Sequence, residues 1–146
     1  MFKKILFATD GSEASNHAAV IAVDLARIHG AKLTVVYVVD PYPYLGIGEA
    51  NPLGFQAYMS ALQEHSVKAF DHVVQLIKQN GENVPMETMR VEEMAAHKGI
   101  LHAAAEQEAD LIIVGSHGRS NLERFFLGGT ANKVSSHAKQ PVLIVH

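Results

Sequence analysis

Two hydrophobic periodicities alternate along the chain, and this alternation is the feature that most limits its fold. Short apolar runs bounded by turn residues are typical of buried strands, and they occur at 4–8, 32–39, 85–91, 110–115 and 142–145. Helical patterns lie between them, at about 13–29, 55–79, 99–108 and 129–138. Strands that alternate with helices predict a parallel α/β sheet with right-handed crossover connections.

Individual segments refine this prediction. The run 32–39 (KLTVVYVV) is apolar throughout, which indicates a central strand covered on both faces, whereas 85–91 (PMETMRV) alternates and indicates an edge strand. Ser12 is placed to cap the first helix and Gly30 to end it in a left-handed conformation. The first helix carries an apolar stripe, predicted to be buried, of Ala18, Ile21, Ala22, Leu25, Ala26 and Ile28. Segment 40–54, rich in proline and glycine, is predicted to be an irregular loop.

Composition narrows the class of protein. A chain of 146 residues fits a single domain, 1–146, and the absence of cysteine excludes disulfides and thiolate metal sites. The net charge of −3 gives no basic surface for nucleic acid or membrane, and no apolar run approaches bilayer-spanning length. The nine histidines lack metal-ligand spacing, so we expect no metal site. We expect a cytoplasmic protein.

The predicted architecture also predicts where a ligand would bind. Open parallel sheets bind ligands beyond the carboxyl ends of their strands, where the strand order reverses. The first strand ends at Ala8 before Asp10, the second leads through Val38, and the fourth leads into the loop 115–118, GSHG. If the first and fourth strands are neighbours, Asp10 and this loop face one crevice.

The chemistry of these residues favours a phosphate-bearing ligand. Gly115 and Gly118 allow close approach of backbone N–H groups, and Gly128 and Gly129 precede a helix whose N-terminus attracts anions. The Asp10 carboxylate would suit ribose hydroxyls or a base amine. Alternatively, Asp10 braces the turn before the first helix.

The glycine loop carries a family resemblance. The pattern Gly115-x-x-Gly118, nine residues, then Gly128, with the opening KKILFATDGSEAS and the closing PVLIV, resembles the universal stress protein family over essentially the whole chain. The resemblance implies an open five-stranded parallel sheet in the order 3-2-1-4-5 with helices on both faces. In the ATP-binding branch, the position of Asp10 contacts adenosine, backbone at the position of Val38 lines adenine, and the three glycines approach the phosphates.

One position departs from the family pattern. The family places serine or threonine directly after its last glycine, whereas this chain has Gly129 there and Thr130 one residue later. Loss of one hydrogen bond to a charged group costs about 1.5–3 kcal/mol, which is about one to two decades of affinity. Thr130 would substitute if the helix start shifts.

Other residues of the loop have weaker roles. Arg119 is the best candidate to neutralise phosphate, and His117, between the two glycines, is expected to line the nucleotide site. Because His117 has no carboxylate partner fixed by spacing, we predict no catalytic residue. No GxxxxGK[ST] loop occurs, and any Mg²⁺ would be held chiefly by ATP phosphates. We expect at most slow incidental hydrolysis. The apolar residues of 122–127 either pack onto the domain or contact a partner subunit.

Three functions remain open at this stage. The first is an adenine-nucleotide-binding stress-response module whose partners or dimer state respond to nucleotide. The second is an interaction module that binds no nucleotide, and the third is an enzyme on a related α/β fold. In the first two, an apolar edge strand at 142–145 would pair with its copy in a homodimer, as family members commonly do.

Overall fold

The computed structural model describes residues 1–39, 51–80, 83–117 and 128–146, which form five strands and four helices. The sheet is parallel throughout, in the order β3-β2-β1-β4-β5, so the predicted fold class and strand order are confirmed. The elements in chain order are β1 (Lys4–Ala8), α1 (Glu13–His29), β2 (Lys32–Val39), α2 (Pro52–Gln79), β3 (Met86–Glu92), α3 (Ala96–Glu106), β4 (Leu111–Gly115), α4 (Gly129–His137) and β5 (Val142–Val145).

The two faces of the sheet are covered by different helices. Successive strand side chains point to opposite faces, so Ile5 and Phe7 pack with α1 and α2, whereas Leu6 packs with α3 and α4. All three side chains are at most 1% exposed, which explains why β1 has no polar alternation. Helices on both faces, a central β2 and an edge β3 are therefore confirmed.

Three local predictions differ from the structure. Helix α2 begins three residues early, because the Asn51 side chain accepts the Gly54 N–H at 3.0 Å and Pro52 takes a first-turn position. Helix α3 spans Ala96–Glu106 rather than 99–108, because Glu108 adopts the left-handed conformation (φ 51°). Ile28 is 67% exposed and lies outside the buried face of α1.

Within the described residues, no helix has both the length and the apolarity needed to cross a membrane.

Candidate functional site

The reversal of strand order lies between β1 and its two neighbours, β2 and β4. A cavity of about 410 Å³ opens there at the carboxyl ends of the strands, a volume in the range of small-molecule pockets. The position is the one that the fold class predicts for a ligand. Its described lining comprises Ala8, Thr9, Asp10, Ser15, Val36, Tyr37, Val38, Tyr58, Leu62, Ala96, Ile100, Val114, Gly115, Ser116, His117, Gly128, Gly129, Thr130 and Ala131.

Asp10 is held in a fixed orientation by the turn that follows β1. Its Oδ1 accepts the Ser12 N–H at 2.9 Å and the Ser15 hydroxyl at 3.0 Å. Gly11 permits this tight turn because its φ is +76°, which side-chain-bearing residues rarely adopt. Asp10 thus braces the turn and also lines the cavity, so the two roles weighed from the sequence are compatible.

Ser15 is the centre of the hydrogen-bond network beneath Asp10. It is only 3% exposed, and its hydroxyl lies 3.2 Å from the Thr9 hydroxyl, 3.3 Å from the Ser12 hydroxyl and 3.0 Å from the Ser12 carbonyl. The Ser12 hydroxyl in turn accepts the Ser15 N–H at 3.2 Å, the predicted N-cap of α1. A buried network of this kind restricts the carboxylate to one rotamer.

The loop after β4 is fastened by backbone hydrogen bonds. Ser116, 2% exposed, donates its N–H to the Val145 carbonyl at 2.8 Å and accepts the Gly128 N–H at 2.7 Å. Its hydroxyl lies 2.8 Å from Nδ1 of His117, which places the imidazole at the cavity wall. Ser116 therefore joins β5, the end of β4 and the start of α4.

The start of α4 presents backbone donors to the cavity. Gly128 is the N-cap with φ −59°, and no side chain caps the helix. Gly129 and Thr130 follow in the first turn and line the cavity, where the positive end of the helix dipole favours an anion. A Cβ added at Gly129 would meet nothing within 4 Å, so this position has room for a side chain.

The opposite wall of the cavity is apolar. Tyr58 and Leu62 come from α2, and Ile100 comes from α3. Val38 continues this wall at the end of β2, packed so closely against α3 that a Cβ added at Gly99 would lie 2.7 Å from both of its Cγ atoms. Such a surface suits a planar, weakly polar group, whereas the α4 end suits an anion.

The described lining of the cavity carries few charged side chains. No lysine or arginine lines the cavity in the part of the chain that the structure describes, and Asp10 is its one described carboxylate. An anion would thus be held by backbone N–H groups, by hydroxyls and by the helix dipole. No group of three or more metal-ligating side chains occurs among the described residues.

All eight predicted site residues that the structure describes line this one cavity: Ala8, Asp10, Val38, Gly115, His117, Gly128, Gly129 and Thr130. Gly118 and Arg119, with the apolar segment 122–127, lie outside the described residues. Sequence reasoning missed Ser15, whose hydroxyl contacts Asp10, and Ser116, which lies between Gly115 and His117. It also missed Tyr58 and Leu62, because nothing local in α2 indicates that it borders this cavity.

A parallel sheet of this order, with helices on both faces and a cavity at its reversal point, is the architecture of the doubly wound α/β class. A sequence model of the universal stress protein family matches residues 1–146, and the chain belongs to this family. A universal stress protein of Thermus aquaticus is 36% identical over 146 residues, covering 99% of both chains. The solved UspA of Lactobacillus plantarum is 26% identical with a TM-score of 0.80, covering 99% of this chain and 97% of that one.

Two further solved structures of this fold contain nucleotides. A universal stress protein in complex with cAMP is 24% identical with a TM-score of 0.69, covering 99% of this chain and 97% of that one. The universal stress protein of Archaeoglobus fulgidus in complex with dAMP is 20% identical with a TM-score of 0.71, covering 99% and 98%. At these identities the likeness establishes a shared fold.

Proposed function

We propose that the protein binds an adenine nucleotide, ATP or a relative, in the cavity at the end of β1 and β4. The observation that carries this proposal is that one wall of the cavity is apolar whereas another part is formed by the start of a helix, which attracts anions. An apolar wall at Val38, Tyr58 and Ile100 suits a base, and the uncapped start of α4 suits phosphate. The cAMP and dAMP complexes of proteins with this fold support the choice of adenine.

Asp10 would accept hydrogen bonds from the ribose, because it lines the cavity in an orientation held by Ser12 and Ser15. Thr130 follows Gly129 directly and also lines the cavity. Its hydroxyl is therefore a candidate for the phosphate contact that Gly129 cannot make. Mg²⁺ would be held through the phosphates, since Asp10 is the one carboxylate in the described lining.

Titration calorimetry with ATP and Mg²⁺, and with AMP alone, tests the proposal directly. Asp10→Asn keeps the size of the side chain but removes its charge, and we expect it to weaken binding of both nucleotides. Absence of heat and of a thermal shift at millimolar nucleotide would favour the alternative, an interaction module that binds no nucleotide.

Gly129→Ser provides a gain-of-binding test. The substitution restores the hydroxyl of the family pattern at a position where an added Cβ meets no atom within 4 Å. A new hydrogen bond to a charged phosphate contributes about 1.5–3 kcal/mol, so ATP affinity should rise about tenfold or more. Gly129→Ala is the matched control, because it adds the Cβ without the hydroxyl, and its affinity should stay near that of the wild type.

The protein would act as a binding module rather than as an efficient enzyme. His117 is the one histidine in the described lining, and its Nδ1 lies 2.8 Å from the Ser116 hydroxyl. Asp10, the one carboxylate in that lining, accepts hydrogen bonds from the Ser12 N–H and the Ser15 hydroxyl, so it is engaged in bracing the turn. We expect ATP turnover no faster than the slow incidental hydrolysis of a bound nucleotide, measured as phosphate release. Turnover above about 1 per second, within the range of ordinary enzymes, would contradict this expectation.

The protein would also form a two-fold homodimer through β5, the edge strand beside β4. The Pro141 and Val145 carbonyls point toward β4, so the backbone N–H of Ile144 points away from it. Ile144→Pro would remove that outward donor and leave the β4 ladder intact. We expect a monomer for Ile144→Pro and a dimer for Ile144→Ala by light scattering, whereas a monomeric wild type would refute the interface.

A further inference from the structure

A second cleft lies on the other side of the turn that carries Asp10. It has a volume of about 350 Å³ and is lined by Gly11, Asn16, His65, Lys68, Ala69 and His72. Two consecutive residues of this turn line different spaces: Asp10 lines the first cavity, and Gly11 lines the second cleft. The second cleft is thus bounded by the β1–α1 turn, by α1 and by the middle of α2.

Three nitrogen-bearing side chains of α2 face this cleft. His65, Lys68 and His72 are spaced three and four residues apart, so they fall on one stripe of the helix about 10 Å long. Ala69 is buried between them, and its small side chain lets the turn at Gly11 approach α2: a Cβ added at Gly11 would lie 3.8 Å from that of Ala69. The stripe therefore borders a recess and not a flat helix surface.

The described lining of the cleft holds one lysine and two histidines. Lysine is cationic at neutral pH, and histidine gains a positive charge as the pH falls through the range of 5 to 8. No carboxylate lines the cleft among the described residues. Asp10 on the β1–α1 turn, Glu13 and His17 on α1, and Glu64 and Asp71 on α2 are the nearest charged or titratable residues in sequence, and none of them is in the lining.

These side chains fit an anion better than a metal ion. Lys68 lies between the two histidines and would repel a cation, and no three-ligand cluster exists in the described residues. The Asn16 side-chain amide adds an uncharged donor at the opposite wall. Ammonium, imidazolium and amide groups together are donors to oxyanions.

We propose that this cleft is a second site, distinct from the nucleotide cavity, which binds a small phosphate-type oxyanion more tightly as the pH falls. His65 and His72 would act as imidazolium donors when protonated, and Lys68 would act as an ammonium donor. The site does not rest on nucleotide binding in the first cavity, because none of its lining residues is shared with that cavity.

Sulfate is the sharper probe, because its charge stays constant between pH 6 and 8, whereas phosphate monoesters titrate near pH 6. We expect sulfate to shift the imidazole NMR signals of His65 and His72 and to bind about tenfold more tightly at pH 6 than at pH 8, the effect of two added exposed ion pairs. Inorganic phosphate at pH 7 should shift the same two signals. Binding that is independent of pH, or that leaves both signals unmoved, would overturn the proposal.

Matched variants separate this cleft from general surface charge. Lys68→Gln and the double variant His65→Gln/His72→Gln should each weaken sulfate binding, and the double variant should abolish its pH dependence. Lys78→Gln and His17→Gln remove the same kinds of charge from α2 and α1 outside the cleft, and they should leave binding unchanged. Equal losses in the controls would refute the site, while unchanged ATP heats in all variants would show that the two cavities act separately.

Discussion

Gly99→Ala should destabilise the protein, although alanine is the better helix former. A Cβ at position 99 in α3 would lie 2.7 Å from both Cγ atoms of Val38 and 3.3 Å from its Cβ. Valine is stiff at χ1, so relief requires α3 or β2 to move. Overpacking costs about 1–3 kcal/mol, and the gain in helix propensity offsets about 1 kcal/mol of it. We expect a net loss of about 1 kcal/mol in the free energy of unfolding.

A double-mutant cycle with Val38→Ala tests the cause of this loss. Removal of both Cγ atoms eliminates the two 2.7 Å contacts and leaves only the 3.3 Å approach to the Cβ, so in that background Gly99→Ala should stabilise the protein by up to about 1 kcal/mol. The sign of the substitution thus reverses, and the coupling energy from urea unfolding should be about 1–3 kcal/mol.

Gly129→Ala is the control for this cycle, because its added Cβ meets nothing within 4 Å and should not couple to Val38. The reasoning fails if Gly99→Ala stabilises the wild type, or if the two substitutions add within about 0.5 kcal/mol.

Three further predictions concern the turns and caps, each measured by urea unfolding. Ser15→Ala should cost about 1.5–3 kcal/mol, because it removes a buried donor to the Asp10 carboxylate, and Ser15→Thr should retain most of that contact. Gly30 has φ 62°, so Gly30→Ala should lower the free energy of unfolding by about 1 kcal/mol. Glu108 has φ 51° and ends its helix with the same hydrogen-bonding pattern, so Glu108→Gly should raise the free energy of unfolding. The hydrogen bond from Lys4 holds the pKa of Glu108 below its usual range. The wild type should therefore be more stable than Glu108→Gln at neutral pH, and this difference should disappear as the pH falls through the lowered pKa.

Much of the fold follows from the sequence because periodicity reports directly on burial. The apolar run of β2 predicts an interior strand and the alternation in β3 an edge strand, and the structure has both in these positions. The strand order itself came from the family resemblance. Alternation of strands and helices fixes parallel connections, but it does not decide which strands are neighbours.

The ends of the helices were predicted only where a local signal exists. Gly30 ends α1 with hydrogen bonds from its own N–H to Arg27 and from the Ala31 N–H to Ala26. The end of α3 has the same pair of bonds, from Glu108 to Ala105 and from Ala109 to Ala104. Glutamate gives no sequence signal for this left-handed turn, so the predicted helix ran too far.

The site was predictable where it depends on the ends of strands and not where it depends on tertiary packing. Asp10 and Gly115 follow strands, so the sheet brings them together once β1 and β4 are neighbours. Tyr58 and Leu62 reach the cavity only because α2 packs over β2, a contact between distant segments. The spacing of residues within α2 indicates which of its faces is buried, but it does not indicate which strand or cavity that face contacts.

The two glycines at the start of α4 have different roles, although the sequence presents them as a pair. Gly128 donates its N–H to the Ser116 carbonyl, and its φ of −59° is open to any residue, so its backbone donor already serves the fold. Gly129 is the next residue, with open space around it, and it lines the cavity. In the proposed nucleotide complex, a phosphate would therefore contact the first turn of α4, at Gly129 and Thr130, rather than Gly128. Substitutions at 128 should consequently be judged by stability, and those at 129 by nucleotide affinity.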